Sequence, residues 1–69
     1  MRLEDYNKSR SEVSAIIDEW IFNERNRSIL KRRLFDGLTY EMLAEEFDLS
    51  VQQIKTIVYR CQDILFRHL

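Results

Sequence analysis

The amino-acid sequence predicts an all-α fold, a small four-helix domain ending in a helix-turn-helix. Three observations carry the prediction. Among 69 residues there is no proline and only one glycine, which removes the usual breakers from helix interiors. Apolar residues recur at intervals of three and four along most of the chain, the period of a helix with one buried face. Hydroxyl residues stand immediately before several of these periodic stretches, where helix N-caps belong.

The first helix is expected over roughly 9–22. Ser9-Arg10-Ser11-Glu12 has the spacing of a capping box, and Val13, Ile16, Ile17, Trp20 and Ile21 follow as an apolar stripe. Leu3 and Tyr6 extend that stripe backwards, so a start as early as Leu3 is compatible with it. Asn23 breaks the pattern. Ile29, Leu30 and Leu34 then define a second, basic helix that stops at Asp36-Gly37, where glycine suits the left-handed position beyond a helix end.

Thr39 is placed to cap a short third helix, with Glu41 in its first turn and Leu43, Ala44 and Phe47 on its buried side. Asp48-Leu49-Ser50 interrupts the period, and Ser50-Val51-Gln52-Gln53 forms a second capping box. The fourth helix runs from 51 to about 66, with Val51, Ile54, Ile57, Val58, Cys61 and Leu65 as its stripe. Turns are therefore expected near 23–26, 36–38 and 48–50. The core is expected on Leu30, Leu34, Leu43, Phe47, Ile54, Ile57 and Val58.

A chain of this size buries only about 60% of the surface its unfolded form exposes, and one core of this size yields roughly 3–5 kcal/mol. Economy of packing, or a partner, is therefore expected. Trp20-Ile21-Phe22 is too wide an apolar run for one narrow stripe, and Ile64-Leu65-Phe66 repeats the problem near the other end. Two readings remain open for these residues: a core wrapped from two sides, or a homodimer interface. Residues 1–24 are accordingly assigned to an N-terminal amphipathic helix for packing or dimerisation, and 25–69 to the helix-turn-helix unit.

Chemistry-bearing constellations are sparse. One histidine and one cysteine support neither a nucleophile–base pair nor a metal site, so no catalytic residue, metal or cofactor is expected and the chain is read as not an enzyme. Glu45 and Glu46 diverge around a helix and do not form an acid–base pair. His68 suits a helix C-terminus, and Cys61 sits on the apolar stripe as a small hydrophobe. The longest apolar run spans three residues and nothing resembles a signal peptide, so a cytoplasmic location without membrane contact is expected.

Charge is more informative when divided. The net charge is -1, yet residues 1–24 carry three basic and six acidic side chains against eight basic and six acidic in 25–69. Arg25, Arg27, Lys31, Arg32 and Arg33 fall within nine positions. Such crowding is either a solvated helix face or a patch for phosphates, the latter with Lys31, Arg32 and Arg33 as its contacts.

Two helices joined by three or four residues, the first short and the second long, meet the requirement of a helix-turn-helix. The run LTYEMLAEEFDLSVQQIKTIVYR resembles the fourth conserved region of sigma-70 family factors and of small sigma factor-like regulators of bacteria and phages. The resemblance covers residues 25–69 and begins with the arginine-rich RNRSILKRRLFDG. It implies a transcriptional regulator that binds double-stranded DNA in sequence-specific fashion, together with RNA polymerase. By position it assigns Val51, Gln52, Lys55 and Thr56 to base edges in the major groove, and Thr39, at a helix N-terminus, to phosphate. Side-chain chemistry agrees: Gln52 suits adenine, Lys55 suits guanine or phosphate, and Val51 and the Thr56 methyl suit thymine methyls. Tyr59 and Arg60 continue along the backbone one turn later. Without the resemblance, the same polar residues read as a solvated face.

The sequence departs from the family pattern in two places. Asp48 stands where the family usually has glycine, and Asp63 where it often has a basic residue that meets activators. Aspartate tolerates the left-handed conformation, so the turn is expected to survive. No polymerase-core-binding or promoter-melting region precedes the motif, so a complete sigma factor is not expected. The competing reading is a helical protein-interaction module that binds a transcription protein, or inhibits another protein, without touching DNA. Duplex binding at two salt concentrations separates the two.

Overall fold

The computed structural model describes residues 8–69, which form four α-helices: α1 Arg10–Trp20, α2 Glu24–Phe35, α3 Tyr40–Phe47 and α4 Val51–Arg67. The expected extension of the first stripe to Leu3 and Tyr6 lies outside the described residues. Local chemistry explains each start. The Ser9 and Ser50 hydroxyls accept from the Glu12 and Gln53 amides at 3.2 and 3.1 Å, and both glutamate and glutamine close their capping boxes in return. Thr39 Oγ1 accepts from the Met42 amide at 3.1 Å, capping α3.

The first two helices meet differently from the expectation. Asn23 is the N-cap of α2, its side chain accepting from the Asn26 amide at 3.0 Å, so residues 24–26 are helical and the break falls at 21–23. α1 correspondingly ends at Trp20 rather than 22. Ile21 turns extended, with φ -104° and ψ 102°, and drops its side chain into the core, while Phe22 is 80% exposed. Arg27 donates to the Ile21 carbonyl at 3.0 Å and ties this break to α2.

Two residues carry the left-handed conformations that end α2 and α3. Gly37 has φ +68° and Asp48 φ 56°, ψ 47°. Beyond Asp48 the Leu49 amide donates back to the Ala44 carbonyl at 2.9 Å, closing the end of α3 and aiming the chain into α4. The turn between α3 and α4 is thus three residues long, Asp48–Ser50.

The apolar interior divides into two clusters. One joins Val13, Ile17 and Ile21 to Leu30, Cys61 and Leu65, so α1 packs on α2 and the distal half of α4. The other joins Ile29, Leu43, Ile54 and Val58 and holds the helix-turn-helix together. Ile29 and Leu30 are neighbours that point about 100° apart on the helix, which lets α2 serve both clusters at one level. Ile57 borders both. Of the expected core, Leu30, Leu43, Ile54 and Val58 are fully buried, whereas Leu34, Phe47 and Ile57 are half-buried at the cluster edges. The expected single list therefore falls into two groups.

Candidate nucleic-acid interface

The outer surface of α4 is built by its own period. Residues four apart share a face, so Val51, Lys55 and Tyr59 form one row and Gln52, Thr56 and Arg60 the next, with Ile54, Val58, Cys61 and Leu65 buried behind them. The four positions assigned to base edges thus occupy the first two turns of the helix. Capping decides which glutamine is available. Gln53 Oε1 accepts from the Ser50 amide at 2.9 Å, while Gln52 is exposed and its amide has no intramolecular partner among the described residues. Thr56 Oγ1 donates to the Gln52 carbonyl at 3.0 Å, which occupies the hydroxyl.

The basic residues preceding the motif separate by their partners. Lys31 Nζ lies 2.6 Å from Asp18 on α1. Arg32 grips the Glu46 carboxylate on α3 through both Nε and a terminal nitrogen, and reaches Asp36 at 3.1 Å. The pairing with Arg32 holds the Glu46 carboxyl below its ordinary range, and hydrogen bonding to Glu46 raises Arg32 in return. These two cations are neutralised within the fold. Arg33 differs: it donates to the Leu38 carbonyl at 2.8 Å and lies 4.4 Å from the centroid of the Tyr40 ring.

Among the described residues, Arg33, Lys55 and Arg60 form no ion pair with a carboxylate, and neither does Arg25. Arg25 lines an open groove of about 290 Å³ with Leu49, Gln52, Gln53, Thr56 and Ile57. It stands beside the base-facing positions, with its guanidinium held by Asn26 Oδ1 at 3.2 and 3.3 Å. Sequence reasoning counted Arg25 only as one member of a basic crowd. Its place beside α4 follows from the packing of α2 on the helix-turn-helix, for which the sequence carries no local signal.

On the other flank, Tyr40 at the start of α3 faces α4. Its ring meets that of Tyr59 edge to face, centroids 6.2 Å apart at 84°, and Lys55 Nζ lies 5.8 Å from its centroid. Hydrogen bonding with Tyr40, and then the charge that phenol would carry, push the Tyr59 hydroxyl above its ordinary ionisation range; Arg33 opposes the shift. Tyr40 had no place among the expected contacts. Thr39 remains exposed, with its oxygen engaged by the Met42 amide and its own proton available to donate.

At the far end of α4, Asp63 pairs with Arg67 at 2.5 Å, which presents an ion pair where the resemblance implies a basic side chain. Among the described residues, no group of three or more His, Cys, Asp or Glu is placed to hold a metal ion, and no helix is long and apolar enough to cross a membrane.

Comparison with known proteins agrees with the arrangement of α2, α3 and α4. The family described as Sigma-70, region 4 matches residues 22–64. Neither curated proteins nor solved structures gave a match. Domains of this family are helix-turn-helix DNA-binding modules of transcription and carry no enzymatic activity.

Proposed function

From the fact that the chain belongs to the sigma-70 region 4 family, we propose that it is a sequence-specific regulator that binds duplex DNA through α4 in the major groove and acts together with RNA polymerase. The observation that carries this reading is the division of charge. Lys31 and Arg32 are neutralised by carboxylates on α1, on α3 and at the C-cap of α2. Arg25, Arg33, Lys55 and Arg60, beside the start and along the first half of α4, pair with none among the described residues; Arg67 at its far end pairs with Asp63. Four cations without a carboxylate partner thus flank the first half of the recognition helix, even though the whole chain is slightly acidic.

In this reading Val51, Gln52 and Thr56 face base edges, Gln52 offering an unengaged amide to adenine and Thr56 its methyl to thymine. Lys55 stands between the base and phosphate roles. Thr39, Arg33, Tyr59 and Arg60 meet phosphates, joined by Arg25 from the opposite flank. Lys31 and Arg32 meet phosphate only by exchanging their carboxylate partners, so they contribute least. One recognition helix reads a short site, and pairing of two copies through the exposed Phe22 and the adjoining Trp20 would double it.

The test is a polarisation titration of the 69-residue chain with mixed-sequence duplex, at several salt concentrations, followed by selection from a random pool. Binding that weakens linearly with the logarithm of salt and enriches one sequence supports the reading. Absence of duplex binding at low salt overturns it in favour of the protein-interaction module.

A further inference from the structure

Tyr40 joins three residues, Arg33, Lys55 and Tyr59, of which only Lys55 belongs to the positions assigned to base edges. Beneath it, Arg33 is fixed by the Leu38 carbonyl at 2.8 Å and lies 4.4 Å from the ring centroid, a cation–π contact that sets the ring's position. Beside it, Lys55 is drawn toward α3, its ammonium 5.8 Å from the same centroid. Facing it, Tyr59 meets the ring edge to face at 6.2 Å and is 55% exposed. Two cations and two phenols thus converge on the seam between α3 and α4, and among the described residues no carboxylate pairs with either cation.

We infer that Tyr40, Lys55 and Tyr59 form one clamp for a single backbone phosphodiester, with Arg33 as the residue that positions Tyr40. The inference rests on the duplex-binding reading above and sharpens it in two respects. It assigns Tyr40 a ligand contact, and it commits Lys55 to phosphate rather than to a base edge. The chemistry favours an anion with several acceptor oxygens. An ammonium supplies charge, and the hydrogen-bonded pair of phenols supplies the proton that their mutual bond leaves free, with the second freed when a phosphate oxygen replaces that bond. A phosphate seated there fixes how far α4 is inserted and in which register, which is the task of backbone contacts.

The experiment uses a duplex selected by the parent chain and a set of copies, each with one phosphate replaced by a neutral methylphosphonate. Affinities are read for the parent, Tyr40→Phe, Tyr59→Phe and Lys55→Ala, with melting curves alongside. The parent should lose roughly tenfold at one linkage, the size of a hydrogen bond to a charged group. Tyr40→Phe and Tyr59→Phe should each bind the unmodified duplex several-fold to roughly tenfold more weakly and lose their sensitivity at that linkage alone. Lys55→Ala should flatten the logarithmic salt slope by roughly 0.9 without broadening base preference. Phenylalanine keeps both rings, so the melting temperatures should hold; should Tyr40→Phe melt early, the exposed Tyr59→Phe decides. If both phenylalanine variants respond to every linkage as the parent does, the clamp is wrong and duplex binding by α4 stands. If the parent binds no duplex, both fall together.

Discussion

Trp20, the last residue of α1, lies flat against His68, the C-cap of α4: their ring centroids are 3.8 Å apart and their planes within 3°. The stack is a surface contact that ties the end of α1 to the end of α4, with Trp20 still 39% exposed. His68→Ala should therefore cost about 0.5–1.5 kcal/mol, the range of an aromatic pair. Tryptophan emission should shift to the red as the ring loses its cover. Thermal melts and emission spectra on the same samples check it, and an unchanged melting temperature would assign the stack no stabilising role.

Gln52 and Ser50 are two residues apart and should fail in opposite ways. Gln52→Ala removes an exposed amide and should weaken binding to a selected site by about 1–3 kcal/mol while leaving melting unchanged. Ser50→Ala removes the acceptor for the Gln53 amide and should cost about 0.5–2 kcal/mol of stability. Titrations and melts on both variants expose the contrast. Equal affinity for Gln52→Ala and the parent would remove Gln52 from the base-reading set.

Arg32 and Arg33 are adjacent yet serve different ends. Arg32→Ala should lower the melting temperature by unpairing Glu46 and hardly change the salt slope of duplex binding; Arg33→Ala should flatten that slope. The pair also sets an acid limit. Because the folded Glu46 carboxyl is held below its ordinary value of 4.5, its stabilising effect is complete above that value and is lost as pH falls through the lowered one. Glu46→Gln should melt earlier than the parent at neutral pH, and the difference should narrow as pH drops below about 4. Melts from pH 7 to 3 follow it.

The turn between α3 and α4 tolerates little. Asp48 adopts φ 56°, where a β-branched residue is strained, so Asp48→Val should cost about 1–2 kcal/mol. Ala44 is half-buried against the cluster of Ile29, Leu43, Ile54 and Val58, and Ala44→Leu should overpack it by about 1–3 kcal/mol. Both are read as denaturation midpoints, with Asp48→Gly as the control that should match the parent or exceed it.

Phe22 is 80% exposed beside a tryptophan still 39% exposed, and pairing of two copies is expected to cover them. Light scattering should give a mass above the 8.5 kDa of one chain at high concentration, reverting toward it in Phe22→Ser. A single-chain mass at millimolar concentration would rule out the pairing.

Much of this fold was legible because its signals are local. Ser9, Thr39 and Ser50 each stand at the start of an apolar period, and each caps the helix that follows; Asn23 was legible as a break, while its cap role, followed by polar residues 24–28, was not. Gly37 was likewise identifiable as a left-handed position from residue type and place, and Asp48 from the family resemblance, which puts glycine there. What the sequence withheld was long-range pairing. Nothing local says that Lys31 meets Asp18, thirteen residues away, or that Arg32 meets Glu46, fourteen away, so a run of basic residues looked uniform when it is not. Tyr40 was hidden for the same reason, since its partners Arg33, Lys55 and Tyr59 come from two other helices.

Cys61 gives the molecule a built-in clock. Its thiol is buried among Val13, Ile17 and Leu65, and burial also pushes its ionisation up, so the reactive thiolate is scarce while α1 stays docked. An alkylating reagent therefore reports how often α1 lifts from α4, one molecule at a time. Sequestration likewise limits covalent linkage between copies under oxidising conditions to the rate at which the thiol is uncovered.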